Sequence, residues 1–300
     1  MPPVNDSESR TLSSWIILFV LTVIWGSSYI LMKKGLVVYP PMQLASLRIV
    51  FAFIAMVWIA VYNFKKIPKN KLKIIFIAGL FGNFLPAYLY AFAQTNVSSS
   101  LAGIVNSLTP LFTLLIAVTV VKLKVTRIQT LGIMLGFVGC VGLSMINNSG
   151  GLGQINIFIL LIVIATLCYG ININIIKTKL QEIDSLVMTS CAMMFIGPFA
   201  IVYLLTSDVV TLTTQTPGGW EALGYVALLG ITGTAIALFL FNRLIQNTGA
   251  VFASTVTYLM PVVAVLWGVI DGEELFPLHF AGMALIILGV YLTNKRVKVK

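Results

Sequence analysis

The chain has 300 residues, 59% of them hydrophobic and 9% charged, with a formal net charge of +10 and a mean hydropathy of +1.01. That balance excludes a water-soluble surface and makes a bilayer the expected solvent. With no nucleic-acid-binding motif in the chain, the positive charge is read as membrane topology and attraction to anionic headgroups, and no nucleic-acid partner is expected.

Crossing about 30 Å of hydrocarbon takes about 20 apolar helical residues. The polar stretch 1–13 lacks a basic n-region and a small-residue cleavage site, so it reads as a cytoplasmic tail and not as a removable signal peptide. Predicted spans then follow at 14–32, 43–62, 74–93, 101–121 and 128–146, and again at 155–176, 186–205, 220–242, 250–270 and 277–293. Their apolar runs are unbroken rather than alternating, which favours helices over barrel strands. The expected fold is therefore all-α: a polytopic membrane protein with a first five-helix repeat over 14–146, a second over 155–293 and a basic cytoplasmic tail over 294–300. Loops are short, and Cys140, Cys168 and Cys191 fall within spans without metal-ligand spacing, as small packing residues would.

Placing the N-terminus in the cytoplasm puts Arg10, Lys65, Lys66, Lys69, Lys71, Lys73, Lys122, Lys124 and Arg127 on that side. Lys177, Lys179, Arg243, Lys295, Arg296, Lys298 and Lys300 join them, leaving Lys33 and Lys34 as the loop exceptions. The positive-inside rule thus assigns both termini to the cytoplasm.

The two halves echo each other. A shift of 151 positions pairs Gly79 with Gly230, Gly82 with Gly233, Leu89 with Leu240, Asn96 with Asn247, Ala102 with Ala253, Val105 with Val256, Leu108 with Leu259 and Pro110 with Pro261. A slightly different shift pairs Thr22, Trp25, Gly26 and Lys33 with Thr166, Tyr169, Gly170 and Lys177, and Gly132 and Gly139 match Gly282 and Gly289. An odd number of spans per unit inverts the second copy, a recurring transporter design with its site at the junction of the halves.

On Trp25, Gly26, Ser27, Ser28 and Tyr29 in the first span, Leu47 and Arg48 in the second, and Leu108, Thr109 and Pro110 in the fourth, the chain resembles the EamA-type exporters of the drug/metabolite transporter superfamily. Gly272, Glu273, Glu274 and Leu275, followed by Gly282 and Gly289, resemble the family's repeat ending; the first repeat reads Lys122, Leu123, Lys124 and Val125 there, without the acid. The resemblance implies a ten-helix bundle in the bacterial cytoplasmic membrane that exports small metabolites, amino acids or drugs through a central cavity. It implies no single substrate.

Helical spacing collects the mid-span polar and aromatic groups into stripes. Gly79, Asn83, Pro86 and Tyr90 share a face of span three, and Gly230, Thr234, Ala237 and Phe241 share the matching face of span eight. Gly103, Asn106, Pro110 and Thr113 mark span four; Ser254, Thr257 and Pro261, with Tyr258 beside them, mark span nine. Thr22 and Trp25 with Ser28 or Tyr29, and Thr166, Tyr169 and Asn172, complete the set. An unpaired amide or hydroxyl in hydrocarbon costs roughly 2–7 kcal/mol, so these faces are expected to line a cavity rather than meet lipid; helix–helix hydrogen bonding is the alternative use. The substrate-binding candidates are Trp25, Ser28, Tyr29, Asn83, Tyr90, Asn106, Tyr169, Asn172, Thr234, Thr257 and Tyr258.

Pro110 and Pro261 sit in mid-span and disturb the carbonyls of Asn106 and Thr257, so each either kinks its helix or bares an acceptor in the cavity, as a gate would use. Gly132, Gly136 and Gly139 on one face of span five fit close helix packing. Arg48, inside span two, has to snorkel outward, pair with an acid such as Glu273, Glu274, Asp271 or Glu221, or meet a ligand carboxylate. No Asp, Glu or His lies near the middle of a span, which favours facilitated diffusion, or coupling through the outer acids, over a midplane proton relay; His279 reads as an interfacial polar residue.

Nothing in the chain has the nucleophile–base pair, metal cluster or carboxylate dyad of an enzyme, nor the charge rings or repeated filter loop of a channel. No cofactor or metal is expected. The expected function is export of neutral or zwitterionic organic solutes such as amino acids, with cationic drugs attracted by aromatic faces as a further class, by a monomer using alternating access. A flippase of a lipid or lipid-linked sugar is the competing reading.

Overall fold

The computed structural model describes residues 12–121, 126–146, 150–248, 253 and 256–294, excluding the side chains of 120, 121, 258, 293 and 294. Arg10, Lys122, Leu123, Lys124, Val125, Ser254, Lys295, Arg296, Lys298, Lys300 and the side chain of Tyr258 thus lie outside the description, as do most of the two terminal tails.

Among the described residues the chain is helical throughout. The first half contains α1 (Leu12–Leu36), α2 (Pro41–Asn63), α3 (Lys69–Gly79) continuing through a π-helical segment Leu80–Phe84 into α4 (Leu85–Ala93), α5 (Ser99–Asn106), α6 (Thr109–Val121) and α7 (Arg127–Ser144). The second contains α8 (Phe158–Lys179), α9 (Ser185–Leu205), a short α10 (Val209–Gln215), α11 (Gly219–Gly230) continuing through a π-helical segment Ile231–Ile236 into α12 (Ala237–Thr248), α13 (Val256–Ile270) and α14 (Pro277–Asn294). Eight of these rods are long and apolar enough to cross a bilayer, and Leu259–Ile270 and Pro277–Leu292 are shorter apolar helices that complete a ten-span pattern. Phe19, Ile54, Trp58, Phe199, Val202, Leu266 and Ile270 stay exposed on the outside of the bundle, a surface that suits lipid and not water.

Connections that should share an end of an inverted pair do so. The α1–α2 turn meets the α10–α11 region, where the Tyr39 hydroxyl lies 2.7 Å from Thr213 Oγ1 and donates to the Gly219 carbonyl at 3.2 Å. At the other end Lys71 Nζ donates to the Lys179 carbonyl at 2.8 Å. Capping is local: Ser98 Oγ accepts from Leu101 N at the start of α5, Asp184 Oδ1 accepts from Leu186 N and Val187 N at α9, and Thr126 and Gln129 form a capping box at α7.

The packing obeys an approximate two-fold axis. Gly26 packs on Val263, and its repeat mate Gly170 packs on Phe112, the mate of Val263. Gly82 abuts Asn172 while Gly233 abuts Ser28, the corresponding pair. Near the axis α7 and α14 run antiparallel with backbone in contact: Gly139 sits against the Gly282 carbonyl and Ile286, and Gly289 against the Gly132 carbonyl and Gly136. Small residues permit that approach, as the glycine spacing predicts.

The structure adds three segments and revises one expectation. Span four is not continuous: it breaks at Ser107 and Leu108, so Pro110 is the second residue of α6, where its missing N–H costs nothing, and not a mid-helix kink. Pro261 does lie inside its helix. The additions are the two π segments, at matching places in the repeats, and the α10 helix.

Leucine at Gly139 or Gly282 should lower the thermal unfolding midpoint by a similar amount in each case, since overpacking costs about 1–3 kcal/mol. Leucine at Gly142, where nothing lies within 4 Å of a new Cβ, should leave the midpoint unchanged; equal midpoints for all three variants in a detergent melt would contradict the seam.

Candidate binding cavity

Two interruptions of regular helix open space where the halves meet. A π segment widens the turn by one residue and frees a backbone carbonyl, and the one in the second half is used: Trp25 Nε1 donates to the Gly233 carbonyl at 3.0 Å. Around these segments lies a cavity enclosing about 900 Å³ of unfilled space, part of it open to solvent.

Its wall contains Trp25, Ser28, Tyr29, Asn83, Tyr90, Asn106, Tyr169, Asn172 and Thr257. All nine came from the polar and aromatic stripes. Thr234 lies behind the wall and accepts from Arg48 Nε at 2.8 Å. The other striped positions do different work: Thr22 and Thr166 donate to their own helices, at Leu18 and Val163, and Gly79 and Gly103 pack against Ala192 and Ala264. The wall also includes Arg48, Met32, Thr109, Ile173, Leu238, Phe241, Asn242 and Met260, of which only Phe241 had been placed on a stripe. The signal for several others was the repeat itself, because Ile173 is the mate of Tyr29 and Met260 the mate of Thr109.

An aromatic and amide network shapes one side. The Tyr90 hydroxyl donates to Asn106 Oδ1 at 2.5 Å, Tyr90 stacks on Tyr169 with centroids 6.2 Å apart, and Tyr29 tilts against Tyr90 at 5.9 Å. Across the pseudo-axis Trp25 meets Phe241 edge-on at 4.9 Å, the repeat equivalent of the Tyr169–Tyr90 contact. Neither proline bares an acceptor: the Asn106 carbonyl takes a hydrogen bond from Thr109 Oγ1 at 2.8 Å, and the Thr257 carbonyl takes one from Ser107 Oγ at 3.1 Å. Asn172 Oδ1, by contrast, is buried without a donor.

Arg48 does not pair with an acid among the described residues. The carboxylates expected to reach it are held elsewhere or face outward, because a second cation source is closer to them. At the end of the bundle opposite the described chain ends, Lys33 Nζ lies 2.7 Å from Asp271 Oδ2 and 3.0 Å from Glu273 Oε1, and Lys34 Nζ lies 2.5 Å from Asp271 Oδ1. Glu273 also accepts from the backbone N and hydroxyl of both Ser99 and Ser100, at 2.9, 2.7, 3.0 and 2.6 Å, sealing the N-terminus of α5. Glu274 is exposed and Glu221 bonds Tyr225. The two lysines that broke the positive-inside pattern are therefore the partners of this acidic turn. His279 Nδ1 accepts from Phe276 N at 3.0 Å and caps the start of α14.

Burial raises the Glu273 pKa, but the hydrogen bonds from Ser100, Ser99 and Lys33 outweigh it and hold the carboxyl down at about 2. A depressed carboxyl stabilises the fold above its unfolded pKa of about 4.3 and loses that contribution as pH falls through the folded value. Wild type should thus melt higher than Glu273→Gln at neutral pH, with the gap closing between about pH 4.5 and 2; a gap that is independent of pH would refute the carboxylate's role.

Both halves match the EamA-like transporter family, over residues 13–145 and 156–295. The uncharacterized inner membrane transporter YedA of Escherichia coli (strain K12) is 26% identical over 282 residues, covering 92% of this chain and 89% of its own. An uncharacterized transporter of Archaeoglobus fulgidus is 25% identical over 286 residues, covering 95% and 100%. A probable amino-acid metabolite efflux pump of Salmonella typhimurium (strain LT2) is 27% identical over 291 residues, covering 91% and 92%. A solved crystal structure superposes with a TM-score of 0.64 at 18% identity over 93% of this chain and 96% of that one, which is a likeness of fold.

Proposed function

The chain belongs to the EamA-like transporter family, and we propose that it exports small organic metabolites, amino acids among them, by alternating access through the cavity between its halves. It is a multi-pass membrane transporter and not an enzyme. The observation that carries the finer reading is the place of the cavity: its wall is drawn from both repeats in matched pairs, such as Trp25 with Tyr169 and Asn106 with Thr257. Two similar halves can exchange which end they close, and a site on their shared axis is then exposed alternately to either side.

The Lys33, Lys34, Asp271, Glu273, Ser99 and Ser100 cluster ties the first half to the second at one end, so opening that end requires these bonds to part. With the termini in the cytoplasm, as the basic loops favour, the tie is extracytoplasmic and the membrane is the cell's cytoplasmic membrane. Spans of one chain supply the whole described wall of the cavity, which supports a monomer. The name of the Salmonella relative supports an amino-acid-like solute, and the absence of a described acid from the wall supports facilitated movement over midplane proton coupling.

Liposomes containing the purified protein and loaded with labelled amino acids should release label faster than equally loaded protein-free liposomes. Asn106→Ala and Tyr90→Phe, which remove the two ends of one buried hydrogen bond, should each slow release about tenfold or less, on the scale of about 1 kcal/mol per neutral bond, in protein that melts somewhat lower but still cooperatively. Unaltered release in both variants would remove this pair from the site, and lipid scrambling without solute release would establish the flippase reading instead.

A further inference from the structure

The halves of the cavity share a shape but differ in chemistry. Arg48 corresponds to Ala192: Gly230 packs on the Arg48 carbonyl as its mate Gly79 packs on that of Ala192. Tyr29 corresponds to Ile173 and Tyr90 to Phe241. The first half therefore contributes a guanidinium whose electrostatic neighbours are Tyr169, Tyr29 and Tyr90, while Ile173 and Phe241 supply apolar wall at the matching positions of the second.

The guanidinium is incompletely satisfied. Its Nε is engaged by Thr234 at 2.8 Å; among the described residues no carboxylate approaches it and its two terminal nitrogens have no hydrogen-bond partner. An uncompensated arginine within a span is costly, and here Arg48 lines the cavity instead of snorkelling to an interface. Such a fork matches the two oxygens of a carboxylate.

Resting on the export reading, we propose that Arg48 is the specificity-determining residue and that the solute carries one carboxylate, bound through the terminal nitrogens, on an uncharged and largely apolar body. An ammonium group, where the solute has one, lies against the faces of Tyr169 and Trp25, with Asn172 Oδ1 turning about its own side-chain bond to accept a hydrogen bond. Monocarboxylates and α-amino acids with uncharged side chains are the class. Their amides lack the charge that Arg48 reads, and cationic drugs meet a like charge with no acid among the described wall residues to offset it.

The test is counterflow in proteoliposomes with matched labelled pairs: leucine and leucinamide, phenylalanine and phenylalaninamide, with 3-phenylpropionate and phenethylamine as the single-group controls. Wild type should carry the two amino acids and 3-phenylpropionate at least about tenfold faster than the amides or phenethylamine, a charge-assisted bond being about 1.5–3 kcal/mol and tenfold being 1.4. Arg48→Gln should abolish that preference, and Arg48→Lys should restore part of it. Equal rates for acid and amide in wild type, a comparison that needs no variant to fold, would overturn the proposal while leaving export intact. Undiminished acid transport by a folded Arg48→Gln would do the same. If none of the six solutes moves, small-solute export itself fails for this chemistry and the proposal falls with it.

Discussion

Hydrocarbon offers no hydrogen bond, and that single deficiency organises this molecule. A helix answers it by satisfying its own backbone, so departures from regular helix inside the bundle have to be repaired locally or face a wet space. The break between α5 and α6 is repaired by the Thr109 hydroxyl, which serves the Asn106 carbonyl, and the carbonyl of Thr257 that Pro261 leaves without its helical donor in α13 is served by Ser107. The π segment of the second half is repaired by the Trp25 indole. Hydroxyls that reach no cavity turn back on their own helix, as Thr22 and Thr166 do. Of the side chains left with an unsatisfied polar atom, Arg48 and Asn172 stand at the cavity, while Gln43 and Gln94 lie away from its wall.

The second constraint is the approximate two-fold axis. Close contacts come in equivalent pairs, Gly26 on Val263 with Gly170 on Phe112, and the α7–α14 seam joins glycine to glycine across the axis. Under the alternating-access reading, these contacts lie where two similar units fit each other in more than one way. Flat, small-residue surfaces tolerate a small rotation better than interdigitated large side chains do, whose packing is sensitive to a single methylene. The end cluster has the opposite character: Glu273 accepts from four groups of α5 and one lysine, with 7% of its side chain exposed.

Much of this was legible in the residues, for a definite reason. Spans follow from hydropathy because the bilayer demands length and apolarity, and the repeat was readable because Gly, Pro and Asn landmarks recur in the same order in both halves. The stripes located nine wall residues because polar groups in hydrocarbon have few other places to go. Helix interruptions were not readable: Pro110 is compatible with a kink or with the first turn of a new helix, and only the packing of Ser107 against α13 decides between them. Partner choice was equally hidden. Arg48 had four acids in nominal reach by sequence, but the bundle brings Lys33 and Lys34 to Asp271 and Glu273 first.

Broken symmetry resolves a tension between these constraints. Interchangeable halves favour identical packing, whereas recognition of a molecule with a head and a tail needs a cavity with two unlike poles. The chain keeps the backbone contacts paired and differs at side chains projecting into the void: tyrosine against isoleucine, tyrosine against phenylalanine, arginine against alanine. The α7–α14 seam contains none of the wall residues, so the chemistry of the wall can diverge while that seam stays paired. Under the export reading, selectivity and interconversion are then carried by different atoms of the same helices, and substitutions in the wall should alter which solute moves before they alter whether the halves can exchange.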